Sequence, residues 1–186
     1  FPAPESGAGK FYIQMSEFYL DTSSILRIAV LVILLCLSAF FSSAETALTT
    51  ANRIRMRALA DDGDKRAACV LRITDNSGKM LSAILIGNNI VNLSASSLAT
   101  SLAIKLWGNV GAGIATGILT LLILIFGEIS PKTIATINAD KLALSYCNII
   151  DWIMKLLTPV IFLLNKLSLA FLFLLRIDPN SNRNAM

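Results

Sequence analysis

Residues 80–104 read MLSAILIGNNIVNLSASSLATSLAI, with no charged side chain among them. A helix needs about 20 mostly apolar residues to cross a bilayer, so this stretch can span. Residues 106–127 are uncharged too and also suffice. Residues 28–44 form a third uncharged run, which spans if its helix continues past Glu45. The chain of 186 residues is 55% hydrophobic and only 15% charged, where a soluble domain carries roughly 25% charge. The arrangement excludes a fatty soluble protein, because the charges are gathered between the apolar runs.

Working outward gives a topology. The first span covers about residues 24–50. Residues 51–79 hold Arg53, Arg55, Arg57, Lys65, Arg66, Arg72 and Lys79, and such a basic loop stays in the cytoplasm. The N-terminus then lies outside. Residues 67–73 give this loop an amphipathic helical character, and Asp61-Asp62-Gly63-Asp64 marks a turn. The second span is 80–106. Trp107 fits an interfacial aromatic, and Gly108-Asn109 begins a hairpin. The third span, 110–129, returns inside, where Pro131 and Lys132 break the pattern. Residues 149–175 are apolar again but interrupted by Lys155, Pro159, Asn165 and Lys166. A fourth span would put the C-terminus outside. The segment therefore reads as one or two kinked helices along the cytoplasmic face, with both lysines snorkelling; a true fourth span is the alternative.

The expected fold is an all-α integral membrane protein, with three transmembrane helices plus a kinked juxtamembrane belt helix on the cytoplasmic side. Residues 1–19 are expected to be a disordered stretch foreign to the domain, with Met15 a candidate native start. Residues 20–178 form the membrane domain, and 179–186 begin a linker to a cytosolic region.

The net charge is +4, with 16 basic against 12 acidic residues. These bases flank apolar runs, the pattern of a protein facing anionic lipid, so nucleic acid is not an expected partner. Cys36, Cys69 and Cys147 have no motif spacing, and histidine is absent. That removes soft-metal sites and imidazole chemistry. A lone intramembrane carboxylate without histidine or a nucleophile offers little for catalysis, so an enzyme is not expected.

Three polar motifs interrupt the apolar runs: Phe41-Ser42-Ser43-Ala44-Glu45, Gly87-Asn88-Asn89-Ile90-Val91-Asn92 and Gly127-Glu128-Ile129-Ser130-Pro131-Lys132. Polar groups in a membrane are costly and mark functional candidates. Asn88 and Asn92 share a helix face at i, i+4, and Ser96 extends it by a turn; Asn89 points elsewhere. Pro131 has no N–H, so in an α-helix it frees the carbonyl of Gly127, beside the carboxylate of Glu128. Together these offer one carboxylate, two amide oxygens, a hydroxyl and a carbonyl. Such hard ligands suit Mg²⁺, Ca²⁺ or Na⁺. Blander roles exist for each part. Ser96, Ser97 and Ser101 can be packing glue, Glu45 can pair with Arg53, and Glu128 can pair with Lys132 at i, i+4. Gly113 and Gly117 permit close helix approach, a weak signal.

These motifs resemble the three signature motifs of the CorB/CorC and cyclin M (CNNM) magnesium transporter family, over about residues 20–175. The resemblance implies a homodimeric domain of three spans and a belt, in an inner or plasma membrane. It also implies a Mg²⁺ site in an inward-facing cavity, with export driven by Na⁺. The implied ligands are Ser42, Asn88, Asn92, the Gly127 carbonyl and Glu128, with Ser43 competing with Ser42. Pro131 and Lys132 would shape the helix break, and Glu45 is a candidate contributor to a Na⁺ site. Family members usually continue into cytosolic CBS domains that bind ATP, which this sequence does not include. A Mg²⁺ sensor or scaffold regulating another transporter is the alternative function, and a passive channel a third.

Overall fold

A computed structural model describes residues 22–174 of the chain. Helix α1 (Thr22–Thr50) is apolar for most of its 29 residues. At 1.5 Å per residue it extends about 43 Å, more than the roughly 30 Å hydrocarbon core. A helical hairpin follows, α2 (Arg53–Asp61) and α3 (Lys65–Asp75). Both helices start on side-chain caps. Asn52 Oδ1 accepts the N–H groups of Ile54 and Arg55 at 3.0 and 3.1 Å, and Asp64 Oδ1 accepts that of Arg66 at 2.8 Å. The turn between them passes through Gly63 at φ 93°, which a side chain would strain.

Helix α4 (Ser77–Leu122) is two arms joined at Gly108, whose φ of 69° and ψ of −172° leave the helix. The expected hairpin is there. Thr100 and Thr116, each eight positions from Gly108, bring their hydroxyls to 3.3 Å, so the arms run back along one another. The side chain of Trp107 lies outside what the structure describes. The second arm continues as a π-helical segment, Ile123–Ile129, and then as α5 (Ser130–Ile137). The expected break at Pro131 does not occur. Pro131 sits in the first turn of α5, where a missing N–H is tolerated. The preceding ladder has already widened to i→i−5, with the Ser130 N–H on the Ile125 carbonyl.

Among the described residues, three helices are long and apolar enough to cross a membrane: Ser23–Thr50, Ser77–Lys105 and Thr116–Ile137. No more than 22% of each apolar window is buried inside the protein, so the remaining apolar surface is left for lipid. Helix α6 (Ala139–Leu156) and helix α7 (Thr158–Leu174) complete the described chain. They bend by 64° at their junction. The kinked belt is thus a bent pair that begins at Ala139, ten residues before the expected start. Counted as one broken span, it would make a fourth crossing. The expected segments 1–19 and 179–186 lie outside the described residues.

Helix α1 is the hub, packing against α4, the π segment, α5 and α6. Helix α6 buries Ala143, Cys147, Ile150 and Met154, a stripe at helical spacing. It meets Met56, Val70, Ile73, Met80 and Ile84 in one core. Ion pairs tie this end together. Arg55 meets Asp140 at 3.1 Å, and Arg72 and Lys155 meet Asp151 at 3.0 and 2.8 Å. Asp140 also accepts the Asn52 backbone N–H at 2.9 Å.

The Asp64 cap gives a pH prediction. Hydrogen bonds from the Arg66 side chain and backbone hold its carboxyl below the usual aspartate range. A folded pKa below the unfolded one stabilises above the ordinary range and is lost as pH falls through the lowered value. The Arg66 amide should therefore stay protected from hydrogen exchange into mildly acid solution and lose protection in Asp64→Ala. Equal protection in the variant would contradict the cap.

Candidate functional site

On α1, Ser38, Ser42 and Glu45 are spaced four and three apart, which places them on one face. Both serines are 1% exposed. Ser38 Oγ donates to the Gly127 carbonyl at 3.5 Å, a marginal contact, and Ser42 Oγ donates to the Glu128 carbonyl at 3.2 Å. Hydroxyls of α1 thus reach backbone acceptors of the π segment, where Pro131 has no N–H to give. Gly127 makes this approach feasible. A Cβ there would fall 2.9 Å from Ser38 Oγ and 3.3 Å from its Cβ.

The first arm of α4 packs against α1 and runs through Gly87, Asn88 and Asn92. A Cβ on Gly87 would lie 2.5 Å from two ring carbons of Phe41. Gly87→Ala should therefore cost about 1–3 kcal/mol by overpacking and lower the melting temperature in detergent. Phe41→Leu in the same chain should recover part of the loss. An unchanged Gly87→Ala protein would contradict this crossing.

Along the same arm, Asn88 Oδ1 and Asn92 Oδ1 are both buried and have no hydrogen-bond partner. Leaving a buried acceptor unmet costs about 1–3 kcal/mol, so each needs a reason to persist. A hard cation is one, since it takes amide oxygens as ligands.

Glu45 of α1 and Glu128 of the π segment share one ammonium. Lys132 Nζ lies 3.5 Å from Glu45 Oε2 and 3.6 Å from Glu128 Oε1. The three side chains are 43%, 37% and 40% exposed, so the protein itself does not enclose this cluster. The alternative pairing of Glu45 with Arg53 is not made; Arg53 pairs with Asp75. Lys132, expected only to shape a helix break, is a charged member of the cluster.

Ser42, Gly127 and Glu128 are therefore in contact through the serine–carbonyl bond and chain adjacency, with Lys132 joined to Glu128 and, on its other side, to Glu45. Asn88 and Asn92 offer unmet oxygens on the neighbouring arm. Ser43 turns away. Its hydroxyl donates to the Phe40 carbonyl at 3.0 Å and lies 3.4 Å from the Tyr146 hydroxyl, so Ser42 is the serine nearer the π segment. Ser96 is half-buried one turn beyond Asn92 and joins none of these contacts. Ser38 and Tyr146 were not singled out from the sequence. Ser38 was findable, because it stands one helical turn before Ser42 on the same face. Tyr146, edge-on to Phe40 at 5.0 Å between centroids, had no comparable signal.

Among the described residues, no three His, Cys, Asp or Glu side chains gather as a metal site. A cation here would be held by neutral oxygens around one or two carboxylates, which is Mg²⁺, Ca²⁺ or Na⁺ chemistry.

Comparison with known proteins adds a family match. The model for the cyclin M transmembrane N-terminal domain matches residues 29–186. A UPF0053 protein of Haemophilus influenzae is 41% identical over 136 residues, 73% of this chain and 32% of that protein. The UPF0053 inner membrane protein YfjD of Escherichia coli is 39% identical over 132 residues, 71% of this chain and 31% of its own length. A polyamine export protein of Haemophilus influenzae is 28% identical over 164 residues, 81% of this chain and 38% of that protein. The chain spans about a third of the length of these relatives.

Proposed function

The chain belongs to the cyclin M transmembrane domain family, and from that premise we propose that it is a membrane carrier for Mg²⁺. The observation that carries the proposal is the pair of buried, unpartnered amide oxygens on Asn88 and Asn92. They stand on the arm whose Gly87 packs against Phe41, the residue before Ser42. The ligand set is Ser42, Asn88, Asn92, the Gly127 carbonyl and Glu128. Glu128 supplies the charge that draws a dication, and the neutral oxygens replace part of its water. Neutral ligands also keep the ion from binding too tightly to leave. Ser42 and Ser38 hold α1 against the π segment, so a shift of that segment moves the hydroxyl and carbonyl ligands together. The π widening and Pro131 give the helix a place to shift without breaking a full α ladder.

Mg²⁺ export driven by Na⁺ entry is part of this proposal, with Glu45 a contributor to the Na⁺ site. So are an inner or plasma membrane location, an N-terminus outside with a cytoplasmic C-terminus, a homodimer, and ATP control through CBS domains of a longer protein. The inner-membrane name of one relative supports the location. The test is Mg²⁺ flux in proteoliposomes, with and without an imposed Na⁺ gradient. Flux that follows the gradient supports the carrier. Binding without flux favours the sensor, and flux indifferent to any gradient favours a channel.

One observation favours a second reading, polyamine transport. The carboxylate pair already holds a primary ammonium, that of Lys132, and one relative is named a polyamine export protein. Spermidine flux in the same vesicles, unaffected by Mg²⁺, would select it.

A further inference from the structure

We propose that Lys132 is a tethered counter-cation, holding the Glu45–Glu128 pair in the empty carrier and displaced by the ion that is carried. The proposal rests on the carrier reading and deepens it. Lys132 stands one turn after Glu128 and reaches Glu45 on a separate helix, so one ammonium joins α1 to the helix that follows the π segment. Its distances of 3.5 and 3.6 Å exceed the roughly 2.7–2.9 Å of a tight charge-assisted bond. The ammonium is shared between two carboxylates and fixed to neither. All three side chains are partly exposed, and such pairs are weak and easily exchanged.

Charge counting then makes the ammonium and the ion rivals. Two carboxylates alone carry two negative charges, and with Lys132 among them the cluster carries one. Adding Mg²⁺ with Lys132 in place leaves one excess positive charge, whereas Mg²⁺ with Lys132 swung away leaves none. Neutrality favours exchange over joint occupancy, since an ammonium and a dication held at one carboxylate pair repel each other. The same device serves the return step. An empty site with two bare carboxylates resists any motion that takes it out of water, and the tethered ammonium removes half of that burden.

The test is Mg²⁺ titration calorimetry on the purified chain in detergent, comparing wild type, Lys132→Met, Lys132→Arg and Glu128→Ala. Lys132→Met should bind Mg²⁺ about ten-fold more tightly yet turn over more slowly in vesicles. Lys132→Arg should stay near wild type in affinity. Equal or weaker binding in Lys132→Met overturns the proposal. A second readout needs no variant. Acylation of Lys132 by a water-soluble amine reagent, read by mass spectrometry, should rise with Mg²⁺ along the binding curve and not with choline chloride of equal ionic strength. Labelling that stays flat while Mg²⁺ binds overturns the proposal as well. Binding lost in Glu128→Ala but unchanged in Lys132→Met removes this inference alone. No Mg²⁺ binding by wild type removes the carrier reading and this one with it.

Discussion

Glu128→Ala should abolish Mg²⁺ binding while leaving the fold intact. At an effective dielectric of about 20, two unit charges 4 Å apart interact by about 4 kcal/mol, and a dication doubles that. Glu128 is partly exposed, so screening removes a good share. A remainder of roughly 4 kcal/mol corresponds to about a thousand-fold loss of affinity. The carboxylate's contribution to folding is small by comparison. Its observed partner is Lys132 at 3.6 Å, and a solvent-exposed pair is worth about 0–1 kcal/mol. The contact to Ser42 runs through the Glu128 backbone carbonyl, which alanine retains. Calorimetry beside a thermal melt checks both halves. A folded variant that binds Mg²⁺ as wild type does would remove Glu128 from the site.

Asn92→Leu should raise stability and destroy affinity together. The Asn92 amide oxygen is buried and unpartnered. Replacing such a group by an apolar one of similar volume removes a penalty of about 1–3 kcal/mol. Leucine also suits a helix inside a membrane. The melting temperature in Mg²⁺-free detergent should therefore rise. Affinity should fall about a hundred-fold, roughly 2.8 kcal/mol, because one coordinating oxygen is gone. Asn88→Leu should behave alike. Asn89, whose residue is exposed, is the control, and Asn89→Leu should change neither quantity much. An Asn kept for packing gives the opposite signature, with stability lost and affinity kept. The two directions of change separate an ion ligand from structural glue.

The spans were legible because each is an uncharged run of bilayer length, and the hairpin was legible because Gly108 sits between two of them. The α2–α3 hairpin was legible from Asp61-Asp62-Gly63-Asp64 and the amphipathic stretch after it. Pro131 misled, because proline reads as a helix breaker. Its effect depends on the ladder ahead of it, and a local π register leaves no mark in hydropathy. The start of α6 was also hidden. Asp140 and Lys141 make that region look like loop, while its buried stripe of Ala143, Cys147, Ile150 and Met154 is partly small and weakly hydrophobic.

For the site, the types of group were legible and their pairing was not. Asn88 and Asn92 stand out by their i, i+4 spacing, and among the described residues their side-chain oxygens are the ones buried without partners. The salt bridge of Glu45 could not be chosen from sequence. Arg53 is eight residues away along the chain, whereas Lys132 is brought near only because α1 packs on the π segment and α5. Ser43 lost to Ser42 in nearness to the π segment by one helical step, which points it at Tyr146 instead.

The most direct test of the account is to bind Mn²⁺, a stand-in for Mg²⁺ with strong anomalous scattering, and locate it in crystals of this chain. One peak should lie within ligand distance of Asn88 Oδ1, Asn92 Oδ1 and the Glu128 carboxylate, with Lys132 withdrawn. A peak confined to the Asp140 or Asp151 ion pairs at the α6 end, with the two asparagine oxygens still unliganded, would contradict it.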